Sequence, residues 1–159
     1  VTGSYEGDLI RPLGLVTLYA AYAEGEIDEL LGVLPSETPF GASKREWPVG
    51  RKLSYALKLV RKLKSDQLSG LISALGEAQT LFSKRNFLVH SQIFAGGRVV
   101  SNRPDASIQK VGVDDLVQLA EQIFACKEQL WIHRSRCLMP MLAPPGGQDD
   151  APKATFPPR

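Results

Sequence analysis

Cysteine and histidine are scarce, with two of each in the chain's 159 residues. Two thiols, Cys126 and Cys137, are too few to staple a secreted fold, and they point to a reduced, cytoplasmic setting. No apolar run approaches the ~20 residues that a membrane span requires, so no membrane role is expected. The first eight residues are polar and acidic and lack the basic-then-apolar order of a secretory signal. A glycine-rich phosphate loop is missing too: Gly96-Gly97 is followed by Arg98 rather than by Lys-Ser or Lys-Thr ahead of a helix. No Ser-His-Asp pattern can be placed. The carboxylate pairs Asp114-Asp115 and Asp149-Asp150 are explained by a helix start and a solvated tail. Cys126, His133 and Cys137 share one helical face, but a closed zinc site needs four ligands and the other histidine is His90. Lone cysteines behave as small hydrophobes, so neither a metal nor any other cofactor is expected.

What the chain does have is the composition of an ordinary globular domain, 43% hydrophobic and 23% charged, and a length that allows one real core. The net charge of +2 hides an uneven distribution. Residues 1–40 carry Glu6, Asp8, Glu24, Glu26, Asp28, Glu29 and Glu37 against Arg11. Residues 41–103 carry twelve Lys or Arg against Glu46, Asp66 and Glu77. Head and middle can attract each other within the fold or across subunits, and the middle can meet a polyanion such as RNA.

Apolar periodicity predicts helices over 4–23 and 26–34, with Pro12 marking the first turn of the former. A turn-rich loop over 35–48 follows. The spacing of Leu53, Ala56, Leu57, Val60 and Leu63 predicts an amphipathic helix over 50–64, with Arg51, Lys58 and Lys62 nearly in line on its polar side. A long helix is expected over 68–90, with Leu71, Ile72, Leu75, Ala78, Phe82 and Val89 on one face. Residues 92–95 and 98–101 flank Gly96-Gly97 and read as a short β-hairpin. A connector over 102–112 leads to a final helix over 113–137, with Leu116, Leu119, Ile123, Leu130 and Trp131 as its buried side. From 138 to 159 proline, glycine and small polar residues predict a disordered tail. The expected organisation is an all-α domain over 1–137.

On the long helix the apolar stripe runs on through Asn86, with Arg85 on one shoulder and His90 on the other. Asn86 and His90 are four apart and therefore neighbours one turn up the helix. Burying such groups unpaired would cost on the order of 1–3 kcal/mol each. Either partners satisfy them, as when Asn braces a loop and Arg pairs with an acid of the first helix, or the face opens onto a cleft.

The stretch Ser83-Lys84-Arg85-Asn86-Phe87-Leu88-Val89-His90-Ser91 resembles the Arg-Asn-x-x-x-His signature of the HEPN superfamily, small helical-bundle domains that include toxins and defence ribonucleases. The likeness covers roughly residues 4–137. It implies a HEPN-like bundle of about five helices with the hairpin before the last one. It also implies a homodimer in which Arg85, Asn86 and His90 of each protomer line a shared cleft that cuts RNA without a metal, and an antitoxin or other partner protein. One subgroup carries a modifiable Tyr two residues after the motif His. Here that position is Gln92, which argues against regulation by that route.

The residue chemistry agrees with that expectation on its own terms. RNA cleavage by its own 2′-hydroxyl needs a base, an acid and a cation for the phosphorane charge. Imidazole titrates near neutrality and guanidinium forks onto phosphate oxygens. One chain has one motif histidine, so two proton transfers suggest two copies of His90. Arg51, Lys58, Lys62 and Lys84 are the candidate RNA-binding residues, with Tyr55 beside them as a stacking or packing ring. Two other readings stand beside this one. In the first, the motif is the polar brace of a non-catalytic HEPN-like module that dimerises or binds a nucleotide or partner. In the second, the basic face docks an acidic protein on a plain helical adaptor.

Overall fold

The computed structural model describes residues 9–90, 92–94, 98–100 and 108–144, with His90 and the extended stretches up to Gln109 described through their backbone. The chain is mostly helical: α1 (Ile10–Val33), α2 (Ala42–Arg45), α3 (Val49–Lys62), α4 (Ser69–His90), α5 (Val113–His133) and α6 (Met139–Leu142). A 3₁₀ turn, Asp66–Leu68, leads into α4, and a π-helical segment, Arg134–Leu138, joins α5 to α6.

The long helices form a closed ring in cross-section. α1 packs on α5 and α3, α4 packs on the same two, and α1 and α4 face each other diagonally. Each sends its apolar stripe inward: Val16, Ala20, Ile27 and Leu30 from α1, Leu53, Ala56 and Val60 from α3, Leu71, Leu75 and Ala78 from α4, and Leu116, Ile123 and Leu130 from α5. Each fully buried Leu or Ile contributes about 1.5–3 kcal/mol relative to exposure.

The periodicity over 10–34 forms one helix, where two were expected. Gly25 costs at most ~1 kcal/mol inside a helix, and Ala23, Glu26 and Ile27 around it are all buried, so packing carries the helix through. Pro12 lies in the first turn, where its missing N–H has no intrahelical partner to lose. The loop over 35–48 contains α2, a single helical turn.

Between α4 and α5 lie β1 (Gln92–Phe94), β2 (Arg98–Val100) and β3 (Ile108–Lys110). They are paired antiparallel in the order β1-β2-β3, with Ile93 opposite Val99 and Val99 opposite Gln109. The Gly96-Gly97 turn lies outside the described residues, as do 101–107. β3 falls where the sequence suggested an irregular connector. Asp115 accepts a hydrogen bond from the Gly112 backbone N–H at 2.8 Å and so fixes the start of α5. Residues 1–8 and 145–159, the acidic start and most of the expected tail, lie outside the described residues.

Two expected core positions differ. Trp131 is 43% exposed and Val89 40% exposed. On α4 the buried residues are Leu71, Ala74, Leu75, Ala78, Leu81, Phe82 and Leu88, a core-facing band two rows wide. Arg85 continues the row of Ala78, Leu81 and Leu88, Asn86 continues that of Leu75 and Phe82, and both are half-buried.

Candidate functional site

Arg85 is half-buried because it lies in the row of Leu81 and Leu88. One end of its guanidinium is anchored: Nη1 donates to Asn86 Oδ1 at 3.1 Å. Its Nε is shut off from solvent and meets no acceptor among the described residues. Leaving a charged donor this way costs upward of ~1–3 kcal/mol. Asn86 is half-buried beside it, and His90 closes the helix one turn on. The His90 side chain lies outside the described residues, so Arg85 and Asn86 are the members of the motif seen in contact.

A cleft of about 670 Å³ opens on the neighbouring face of the same turns. Ser83, Lys84 and Phe87 of α4, Lys110, and Gln118 and Gln122 of α5 border it, over Leu88 and Leu119. Arg85 and Asn86 do not line it. Lys84, expected to contact RNA, is exposed at this cleft and apart from the other three cations.

Those three do stand in a row on α3. Arg51, Lys58 and Lys62 are all exposed. Lys58 and Lys62, with Tyr55, line a second groove, of about 460 Å³, against the Pro35–Thr38 loop. Lys62 lies 3.8 Å from Glu37, a contact between groups 57% and 93% exposed that contributes little. Arg51 lies over the face of Trp47, with Cζ 3.9 Å from the ring centroid. Trp47 meets Tyr55 edge to face at 5.5 Å. Lys44 caps Tyr55, with Nζ 5.3 Å from its centroid, and donates to the Thr38 carbonyl at 2.8 Å.

The sequence reading missed a second class of polar residue, the buried ion pairs. Lys52 is 1% exposed, with Nζ 2.8 Å from Glu24 and 2.9 Å from Asp28. Burial alone would lower its pKa, but the hydrogen bonds and charges of Glu24 and Asp28 outweigh that and hold it above the ordinary lysine value. Glu26, also buried, receives Nε of Arg134 at 2.5 Å and Nη2 at 3.3 Å, and that hydrogen bonding raises the Arg134 pKa against the effect of burial. The signal was present in both cases: Lys52 shares the spacing of Ala56, Leu59 and Val60, and Glu26 that of Ala23, Ile27 and Leu30.

The cysteine–histidine face resolves into separate roles. Cys126 is buried and donates to the Ala74 carbonyl at 3.4 Å, and burial, with the Glu77 charge adding, pushes its thiol up to about 12. Cys137 Sγ is 3.9 Å from His133 Nδ1. The His133 ring lies against Gly70, so closely that a β-carbon there would collide with Cε1. Among the described residues no group of three or more His, Cys, Asp or Glu is placed to hold a metal ion. Among them, too, no helix is long and apolar enough to cross a membrane.

Compared with protein-family models, characterised proteins and solved structures, the chain finds no match. Its own residues therefore carry the functional reading.

Proposed function

We propose that this chain is a HEPN-type domain that acts as a metal-independent endoribonuclease, with Arg85, Asn86 and His90 forming a composite site between two copies. The observation that carries the proposal is Arg85 itself. A permanently charged guanidinium is half-buried on the core-facing band of α4, is held at one end by Asn86, and keeps a buried donor without an acceptor among the described residues. The guanidinium nitrogens not taken up by Asn86 could give a phosphate oxygen at this site a charge-assisted bond.

The chemistry follows from the groups available. A base removes the proton of the ribose 2′-hydroxyl, and O2′ attacks the adjacent phosphorus. The bond from phosphorus to O5′ breaks as an acid protonates the leaving oxygen. The products are a 2′,3′-cyclic phosphate and a free 5′-hydroxyl. Arg85 offsets the charge on the non-bridging oxygens, Asn86 fixes the guanidinium, and His90 of each protomer takes one proton-transfer role. In the cell such an activity would suit a toxin or defence effector held in check by an antitoxin.

The test is cleavage of a labelled RNA by purified protein. His90→Ala should lower the rate on the order of 10²–10⁴-fold, the usual span of general acid–base catalysis. Arg85→Ala should also lower it, and the products should end in 2′,3′-cyclic phosphate. An H90A protein as fast as wild type, or full activity from a protein that sediments as a monomer, would defeat the proposal.

The direct Arg85–Asn86 bond also favours a second reading, in which the motif is a polar brace in a non-catalytic HEPN-like module that dimerises or binds a nucleotide or partner. Then Arg85→Ala lowers thermal stability or dimerisation, and no preparation cuts RNA.

A further inference from the structure

α3 contains no acidic residue, and its solvent side is a row of cations. Taking 100° and 1.5 Å per residue, Arg51, Tyr55, Lys58 and Lys62 fall within an arc of about 60° and span about 16 Å. Among the described residues no carboxylate pairs with Arg51 or Lys58, and Lys62 meets only the weak Glu37 contact. Of the acids nearby, Glu24 and Asp28 are taken up by Lys52 beneath the row, which leaves Glu37 and Glu46 at its rim. A surface of this sign attracts a polyanion.

Two features favour a single strand over a duplex or an acidic protein. First, Arg51 already lies over the face of Trp47, which itself abuts Tyr55, so the guanidinium is held in place before any ligand arrives. A flat cation with its outer face in solvent extends the stack to an unpaired base, and duplex bases do not offer their faces. Second, Lys58 and Lys62 line a groove walled on its other side by the Pro35–Thr38 loop, a channel rather than an open face, which suits one backbone.

Along the helix axes, the Arg51 end of the row lies at the level of the motif. Gln79 donates to Ser54 at 3.3 Å, which sets the register of α3 against α4. The two helices are joined by a short link and run antiparallel. Arg85 lies about 9 Å beyond Gln79 along α4, which brings it level with Pro48, next to Trp47. Lys62 lies about 20 Å further from that level.

We infer that the Arg51–Lys58–Lys62 row is a track for single-stranded RNA, with Arg51 on Trp47 as a base-stacking group at the end nearest Arg85. This rests on the reading of the chain as an RNA-acting domain, but binding and cleavage can be read apart. The measurement is fluorescence anisotropy of a labelled twelve-nucleotide oligouridylate and of a labelled duplex of equal length, with full-length protein in the His90→Ala background so that the probe survives.

The single strand should bind more tightly than the duplex. Lys58→Ala with Lys62→Ala should weaken it on the order of tenfold and lower the slope of log affinity against log salt by about 1.4, two phosphates at ~0.7 each. Arg51→Lys keeps the charge and removes the plane. It should weaken the single strand about fivefold or more and leave the duplex unchanged. All three positions are exposed, so folding is not at stake.

No binding, equal binding of duplex and single strand, no change in the double-lysine variant, or a neutral Arg51→Lys would each overturn the inference. So would a polyglutamate of equal length that competes as well as RNA. A protein that binds through the row but never cuts RNA removes the ribonuclease reading alone. One that cuts RNA undiminished by Lys58→Ala and Lys62→Ala removes the track alone.

Discussion

Cys126 and Cys137 are chemically unlike despite lying three turns apart on one helical run. Cys126 is 3% exposed and its thiol is pushed up to about 12, while Cys137 is half-buried beside His133. A thiol reacts as its thiolate, so a colorimetric disulfide reagent at pH 8 should count one reactive thiol in the folded protein and two in denaturant. The pH dependence follows with a definite sign. In the unfolded chain Cys126 loses its proton near the ordinary value of 9.0, whereas the folded protein keeps it to about 12. Stability therefore falls as pH rises through that window, at up to about 1.4 kcal/mol per pH unit. Lys52, whose pKa is raised, adds to the loss only above its ordinary 10.5. Denaturant melts of wild type and Cys126→Ala should converge between pH 9 and 10.5, the ordinary values of the two groups, and parallel curves there would contradict the assignment.

Among the helices, what the sequence made legible was set by how completely local pattern and packing agree. The α3 and α5 helices and the inward residues of α1 follow from apolar spacing, because those residues, Leu63 and Trp131 apart, are also the buried ones. The α1 junction was not legible, since a glycine flanked by polar residues looks like a break until the neighbouring helices supply a face to bury. The polar interruption at Arg85 and Asn86 was legible from the same spacing, but their mutual hydrogen bond was not, because sequence neighbours point about 100° apart on a helix. Burial of Lys52 and Glu26 needed knowledge of which helices become neighbours. The same distinction separates the glycines. Gly14, Gly25 and Gly76 lie inside helices with open space where a β-carbon would go, whereas at Gly70 it would strike the His133 ring. Each of Gly14→Ala, Gly25→Ala and Gly76→Ala should add about 0.5–1 kcal/mol, and the three sites are far enough apart to sum. For a domain of this size, at about 2–4 °C per kcal/mol, the sum of about 1.5–3 kcal/mol raises Tm by roughly 3–12 °C. Gly70→Ala should lower Tm instead. With His133→Ala already in the chain the collision is gone, and Gly70→Ala should then cost nothing. A scanning calorimeter decides both.

Taken across all the helices, the acidic head gives Glu24, Glu26 and Asp28 to pairs inside the fold, while among the described residues of the basic middle Lys52 alone is drawn into a buried pair. Glu24 and Asp28 neutralise Lys52 of α3, and Glu26 reaches Arg134 past the end of α5, so α1 is clamped by charge to both of its neighbours. That leaves the outer side of α3, which holds no acidic residue, more basic than the net charge suggests. The Glu26–Arg134 clamp joins the first long helix to the π-helical segment that closes the last, across 108 residues of chain. Both side chains are largely withdrawn from water, 8% and 17% exposed, so removing one partner strands the other. Glu26→Met alone and Arg134→Met alone should each destabilise by about 3 kcal/mol, the range for breaking a buried pair. The double variant leaves no orphan charge and fills the space with apolar atoms, so it should cost less than either single change. Urea unfolding of the four proteins closes the cycle. Because the pair is sheltered, the coupling should persist at about 0.5 M salt, where an exposed contact such as Lys62–Glu37 is screened away. A double variant whose loss equals the sum of the singles would mean that the two charges act independently, and that apolar packing alone holds α1 on α5.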